Sequence, residues 1–190
     1  MTELDHRRAT AERNATAILD ATERLLARHA PVSMAAVASE AGVSRPTLYA
    51  HHKALPDLIE AAVERAVAQT LAAVDGAGLD DGPAGEALDR MIAASWAKLG
   101  KLGHFADAAA QHLTNRWVQR THAPLMERLT GLVERGQRER AFRTDLPADW
   151  LVPAYFALVH AADELARDRR LSRADALAML TTSVHDLFGG

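Results

Sequence analysis

The stretch Met34–His52, MAAVASEAGVSRPTLYAHH, constrains this chain more than any other part of it. Met34, Val37, Ala38 and Ala41 recur at helical spacing and fall on one face of a short helix. Gly42 follows, a residue free to take positive φ just past a helix end. Ser44 suits the cap of a second helix, and Pro46 falls in its first turn, where a missing N–H is harmless. The expected order is helix, sharp turn, short helix. Two readings fit it: a helix-turn-helix, whose second helix enters a DNA groove, or an ordinary helical hairpin in a packed bundle.

The rest of the composition points the same way. Hydrophobic residues make up 48% of 190, enough for a real core, while aromatics are only 5%. Ala and Leu abound and β-branched residues are sparse, which favours helices over strands. With no cysteine, disulfides and thiolate metal sites are excluded. Glu3, Asp5, Arg7 and Arg8 precede any apolar run, the wrong order for a signal peptide. No apolar stretch approaches the ~18 residues of a membrane span, so a soluble cytoplasmic protein is expected. The net charge of −3 argues weakly against nucleic acid. Through residue 56, however, seven Lys/Arg face six acids, leaving a small basic excess where phosphate contact would need it.

Helical patterns follow one another along the chain. An amphipathic helix is expected from about Ala9 to His29, with Ala15, Ile18, Leu19, Thr22, Leu25 and Leu26 on one stripe and Pro31 ending it. After the helix-turn-helix, a longer helix from about Pro56 to Val74 reads as a strut between an N-terminal three-helix unit and the remainder. Asp75–Gly85, rich in Gly and Asp, reads as a loop. Further helices are expected over about 86–99, 105–120, 124–140, 147–167 and 172–188, with Gly100 and Gly103 separating the first two and Pro124 opening the third. Ser172 with Asp175 resembles a capping box, and Pro153 is expected to bend its helix near the start. The sum is an all-α chain of about nine helices. The last two carry wide apolar faces, which serve either as core or as a surface for a second copy.

Taken together, the turn sequence, flanking helices and length resemble the TetR family of bacterial transcriptional regulators. The resemblance is carried by VASEAGVSRPTLYAHH followed by LPDLIEAAV, and more loosely by AFRTDLPADWLVPAYFALVHAADE with the final helix. It implies a DNA-binding domain over residues 9–69 and a C-terminal helical effector-binding and dimerisation domain over 70–190. It also implies a homodimer that binds a palindromic operator in double-stranded DNA, acts as a repressor, and is released by a small-molecule effector. By position, Ser44, Arg45, Thr47, Tyr49 and His51 lie on the recognition helix. Tyr49 and His51 match the family's phosphate-contacting aromatic and histidine. Arg45 and Thr47 suit base edges, since Arg pairs with guanine and Thr meets a thymine methyl. Ser33 is placed to donate to a phosphate. Two departures stand out: His52 where the family usually has phenylalanine, and Leu55 where it has a lysine, whose contact Lys53 would replace.

The same resemblance makes Trp96, Phe105, His112, Trp117 and Tyr155 candidates for an effector cavity, and Leu158, Ala162, Leu177, Leu180 and Val184 candidates for the dimer interface. Plain core is the alternative for each. His104, Asp107 and His112 invite a metal reading, but no His-Glu-x-x-His, Gly-x-Ser-x-Gly or phosphate-binding glycine loop is present. Neither an enzyme nor a metal or other cofactor is expected. The remaining alternative is a helical adaptor or ligand-binding protein without sequence-specific DNA binding.

Overall fold

Local capping and burial of short apolar faces explain most of the architecture. The computed structural model describes residues 3–28 and 30–189, with side chains for all of these except 3, 4 and 99–111. Among the described residues there are eight helices and no strand: α1 (Glu3–Ala27), α2 (Met34–Ala41), α3 (Arg45–His51), α4 (Leu55–Asp75), α5 (Ala84–His112), α6 (Asn115–Arg138), α7 (Ala148–Arg167) and α8 (Arg173–Phe188). They form two compact units. One draws on Met1–Arg65 and His104–Asn115, the other on Ala66–Gly103 and Arg116–Gly190.

In the first unit, Ile18, Ala21 and Leu25 of α1 close on Val37 and Ala38 of α2, Leu48 of α3 and Leu58 of α4. Helices as short as α2 and α3 do not persist alone in water, so this core holds them. Burying a side chain such as Leu48 contributes roughly 1.5–3 kcal/mol. Arg65 ties α4 to α1 through Asp20, at 2.8 Å, and through Glu23. The first helix starts earlier than its apolar stripe, because polar residues there make their own i,i+4 contacts: Arg8 pairs with Glu12 at 3.0 Å and Thr10 donates to the His6 carbonyl. It ends at Ala27, where the Arg28 and Ala30 amides turn back onto the Leu25 carbonyl.

The second unit is built around α6, α7 and α8. Phe142, Phe188 and Tyr155 meet edge to face, with ring centroids 5.5 Å apart for the first pair and 6.5 Å for Tyr155 and Phe188. The Gly- and Asp-rich loop after α4 is held by two arginines. Arg90 donates to the carbonyls of Ala77, Gly78 and Asp81, and Arg135 to those of Leu79 and Gly82. Asp75 pairs with Arg128 at 2.6 Å, and the Ala84 amide donates to Glu139.

Two helix boundaries differ from expectation, which lowers the count from nine to eight. The fifth helix runs through Gly100 and Gly103 to His112. Each glycine costs about 1 kcal/mol relative to alanine, less than the burial of Leu88, Met91 and Ile92 earlier in the same helix supplies. Pro124 lies inside α6 rather than at a helix start. Pro124 and Arg120 are both exposed, so water can meet the carbonyl that loses its partner. Pro153 likewise lies within α7. No helix among the described residues is long and apolar enough to cross a membrane.

Candidate functional site

The corner between α2 and α3 is built by four residues. Ser33 caps α2, its Oγ accepting the Ala36 amide at 3.2 Å. Gly42 sits at φ 67°, in the left-handed region, and the amides of Gly42 and Val43 satisfy the carbonyls of Ser39 and Ala38. Ser44 caps α3 by accepting the Thr47 amide at 3.2 Å, and its hydroxyl meets that of Thr47 at 2.7 Å. Pro46 occupies the first turn. Leu48 is fully buried and orients α3, so the side chains around it on the helix point outward.

That outward face is polar and basic. Arg45, Tyr49 and Lys53 are exposed, as are Ser33 and Ser44, while Thr47 and His51 are half-buried. Tyr49 is 51% exposed, unusual for a tyrosine serving only as core. No carboxylate lies between Gly42 and Pro56. The nearest acid before that stretch, Glu40, is held by Arg24 at 2.8 Å and Arg28 at 2.9 Å, and these guanidinium groups keep its carboxyl below the usual range. The sequence count of bases and acids missed this neutralisation, since Arg24 and Arg28 are remote from Glu40 in the chain. His52 is half-buried beside the corner. Burial, and then the neighbouring His51, lowers its pKa, against an opposing pull from Asp57. Leu55 packs on the core of the first unit.

Residues 18–62 match the family described as bacterial regulatory proteins, tetR family. Over this segment the chain is similar to that family. The matched residues take in the C-terminal part of α1, all of α2 and α3, and the start of α4. The fold of the chain is similar to that of the TetR-like regulator LfrR from Mycobacterium smegmatis, solved with proflavine, at 23% identity and a TM-score of 0.75 over 94% of this chain and 98% of that one. A TetR-family regulator from Rhodococcus sp. gives 19% and 0.79 over 92% and 98%. FadR from Bacillus subtilis, solved with stearoyl-CoA, gives 16% and 0.78, again over 92% and 98%. At such identities the likeness is one of fold. No curated protein sequence matches the chain.

The other candidate residues separate by burial. Trp96, Trp117 and Tyr155 are buried in the second unit. Tyr155 is fully enclosed and donates to Ser95 Oγ at 3.4 Å; burial, partly offset by that bond, pushes its hydroxyl up to about 12. His112 is exposed and belongs with the first unit. The side chains of Phe105, His104 and Asp107 lie outside the described residues, and among the described ones no group of three His, Asp or Glu could hold a metal ion. Ala162, Leu180 and Val184 are buried within the chain's own core, and Leu158 and Leu177 are half-buried. The open apolar surface of α7 and α8 lies elsewhere: Trp150 and Met179 are 62% and 55% exposed. Trp150 lines a shallow groove with Pro153, Ala154, Ala157, Leu158 and Leu187.

Proposed function

We propose that this chain is a repressor that binds a palindromic operator as a homodimer and lets go when a small molecule binds its second unit. Residues 9–69 would form the DNA-binding domain and 70–190 the effector-binding and dimerisation domain. The observation that carries this reading is the capped, glycine-turned corner that leaves Arg45, Thr47 and Tyr49 outward on a seven-residue helix free of acids. Arg45 and Thr47 read base edges; Tyr49, His51, Lys53 and the Ser33 hydroxyl contact phosphates. Ser44 serves the interface mainly by fixing the start of α3, since its oxygen already accepts the Thr47 amide.

Two copies would meet along α7 and α8. Among the described residues, two of the three exposed large apolar side chains, Trp150 and Met179, lie on that pair, and the third is Tyr49 on α3. In the dimer the two recognition helices would stand ~34–36 Å apart, or somewhat more, one turn of the duplex. Trp96, Trp117 and Tyr155 supply the apolar and aromatic character that small-molecule sites have. The test is anisotropy titration of the protein with its own upstream DNA against scrambled duplex, at low and moderate salt. Preference for the upstream DNA, weakening with salt, is expected; equal affinity for both duplexes refutes the reading.

A further inference from the structure

Among the described residues of the second unit, one buried side-chain polar atom has no hydrogen-bond partner: Asp163 Oδ1. Asp163 is 1% exposed and shares the inward stripe of α7 with Tyr155, Val159 and Ala162. Its other oxygen accepts from Arg167 Nε at 3.0 Å. The cation facing Oδ1 is Arg173, whose Nη1 stops at 3.8 Å, beyond hydrogen-bond range. Arg173 instead lays its guanidinium over the ring of Trp96, 4.6 Å from the centroid, and donates to the Trp96 carbonyl oxygen. Trp96 is buried, whereas the Arg173 side chain is 44% exposed on the first turn of α8.

These groups share one geometry: an aromatic face, a planar cation resting on it, and an acceptor which that cation does not reach. A buried acceptor without a donor is costly, and a donor placed there recovers the loss. We propose that Arg173 is a displaceable plug, and that the site between Trp96 and Asp163 takes a planar aromatic cation with N–H donors, of the amidine or guanidine class. The ligand stacks on Trp96 in place of Arg173 and donates to Asp163 Oδ1. One cation leaves and one enters, so the charge beside the carboxylate stays balanced. Arg173 is displaceable because its side chain is 44% exposed, its Nη1 stays 3.8 Å from the buried Asp163, and the incoming cation replaces its stacking on Trp96. An anion is repelled by Asp163, and an uncharged aromatic forgoes the attraction of a cation to the ring.

This inference rests on the reading of the second unit as effector-binding, and gives that effector a chemical class. The probe is naphthamidine, titrated calorimetrically into the full chain, with naphthamide as its uncharged counterpart of the same shape. Naphthamidine is expected to bind and naphthamide to bind about tenfold less well or worse. Arg173→Ala removes the competitor and tightens naphthamidine binding about fivefold, whereas Asp163→Asn weakens it about tenfold. A purely structural role for either residue would not give opposite signs. Unchanged or weaker binding by Arg173→Ala, or equal affinity for the two probes, overturns the proposal. The comparison of probes on the unaltered protein decides the matter even if Asp163→Asn does not fold. Operator binding is measured separately. Naphthamidine binding without operator release removes the effector reading and leaves the site, whereas absent binding by a protein that still holds its operator removes the site alone.

Discussion

Three glycines offer a controlled test of the packing and turn arguments, because the same added methyl should act in three different ways. At Gly42 an alanine Cβ meets nothing within 4 Å, yet φ is +67°. Alanine in that region costs about 1–2 kcal/mol, partly offset by about 0.4–1 kcal/mol from a stiffer unfolded chain. Gly42→Ala should therefore destabilise the first unit by about 1 kcal/mol, and Gly42→Asn by less, since Asn tolerates the left-handed region. At Gly131, inside α6, the space is equally open and φ is ordinary. Gly131→Ala should stabilise the second unit by about 0.5–1 kcal/mol. At Gly136 the new Cβ would stand 2.0 Å from Phe142 Cδ2, and the Phe142 ring is braced edge-on against Phe188. Gly136→Ala should cost about 1–3 kcal/mol through overpacking. Urea unfolding followed by circular dichroism, with amide exchange in α3 and α6 reporting each unit, measures all of them. A Gly42→Ala protein as stable as the parent would refute the left-handed corner, and with it the outward aim of α3.

Arg45→Ala should relax base preference at one operator position by ~1–3 kcal/mol if Arg45 grips a guanine, whereas Tyr49→Ala should weaken all operator variants alike and shallow the salt slope; titrations across an operator library at two salt concentrations separate the two roles. Trp150→Glu should give folded monomers by sedimentation, while Val184→Glu, at a fully buried position, should unfold the second unit instead; an intact Trp150→Glu dimer would move the interface. The lowered pKa of His52 fixes the sign of a pH effect. The unfolded chain binds more protons there, so this contribution is complete above the ordinary histidine value near ~6.5 and is lost as pH falls towards the folded value. Denaturation midpoints measured from neutral to acidic pH should fall, and His52→Phe should flatten the decline; an unchanged slope would exclude His52.

What could be read from the chain beforehand was what local chemistry decides. Gly42, Ser44 and Pro46 act on neighbours within a few residues, so their roles in the corner were legible, as was the Ser172 cap, whose oxygen accepts the Asp175 amide at 3.0 Å. The Ser33 cap of α2 was equally local but was missed. Breaker residues misled at Gly100 and Gly103, where burial earlier in the helix outweighed them, and at Pro124, whose exposed position lets water meet the freed carbonyl. Periodicity gave α8 one wide apolar face but could not say whether core or a second copy covers it. Leu180 and Val184 turn into the chain's own core, while Met179, off that face, stays exposed. An acid at position 163, in register with the apolar stripe of α7, was a visible anomaly; its want of a donor was not, because that depends on where Arg173 settles. The grip of Arg24 and Arg28 on Glu40 was hidden for the same reason of distance along the chain.

The loop from Ala77 to Gly82 has the composition of a tether, yet two guanidinium groups fasten five of its carbonyls. Such a segment cannot serve as a slack joint. Whatever displacement reaches the end of α4 must be handed on to the start of α5 as a rigid push, and loosening Arg90 or Arg135 would let that movement dissipate before it arrived.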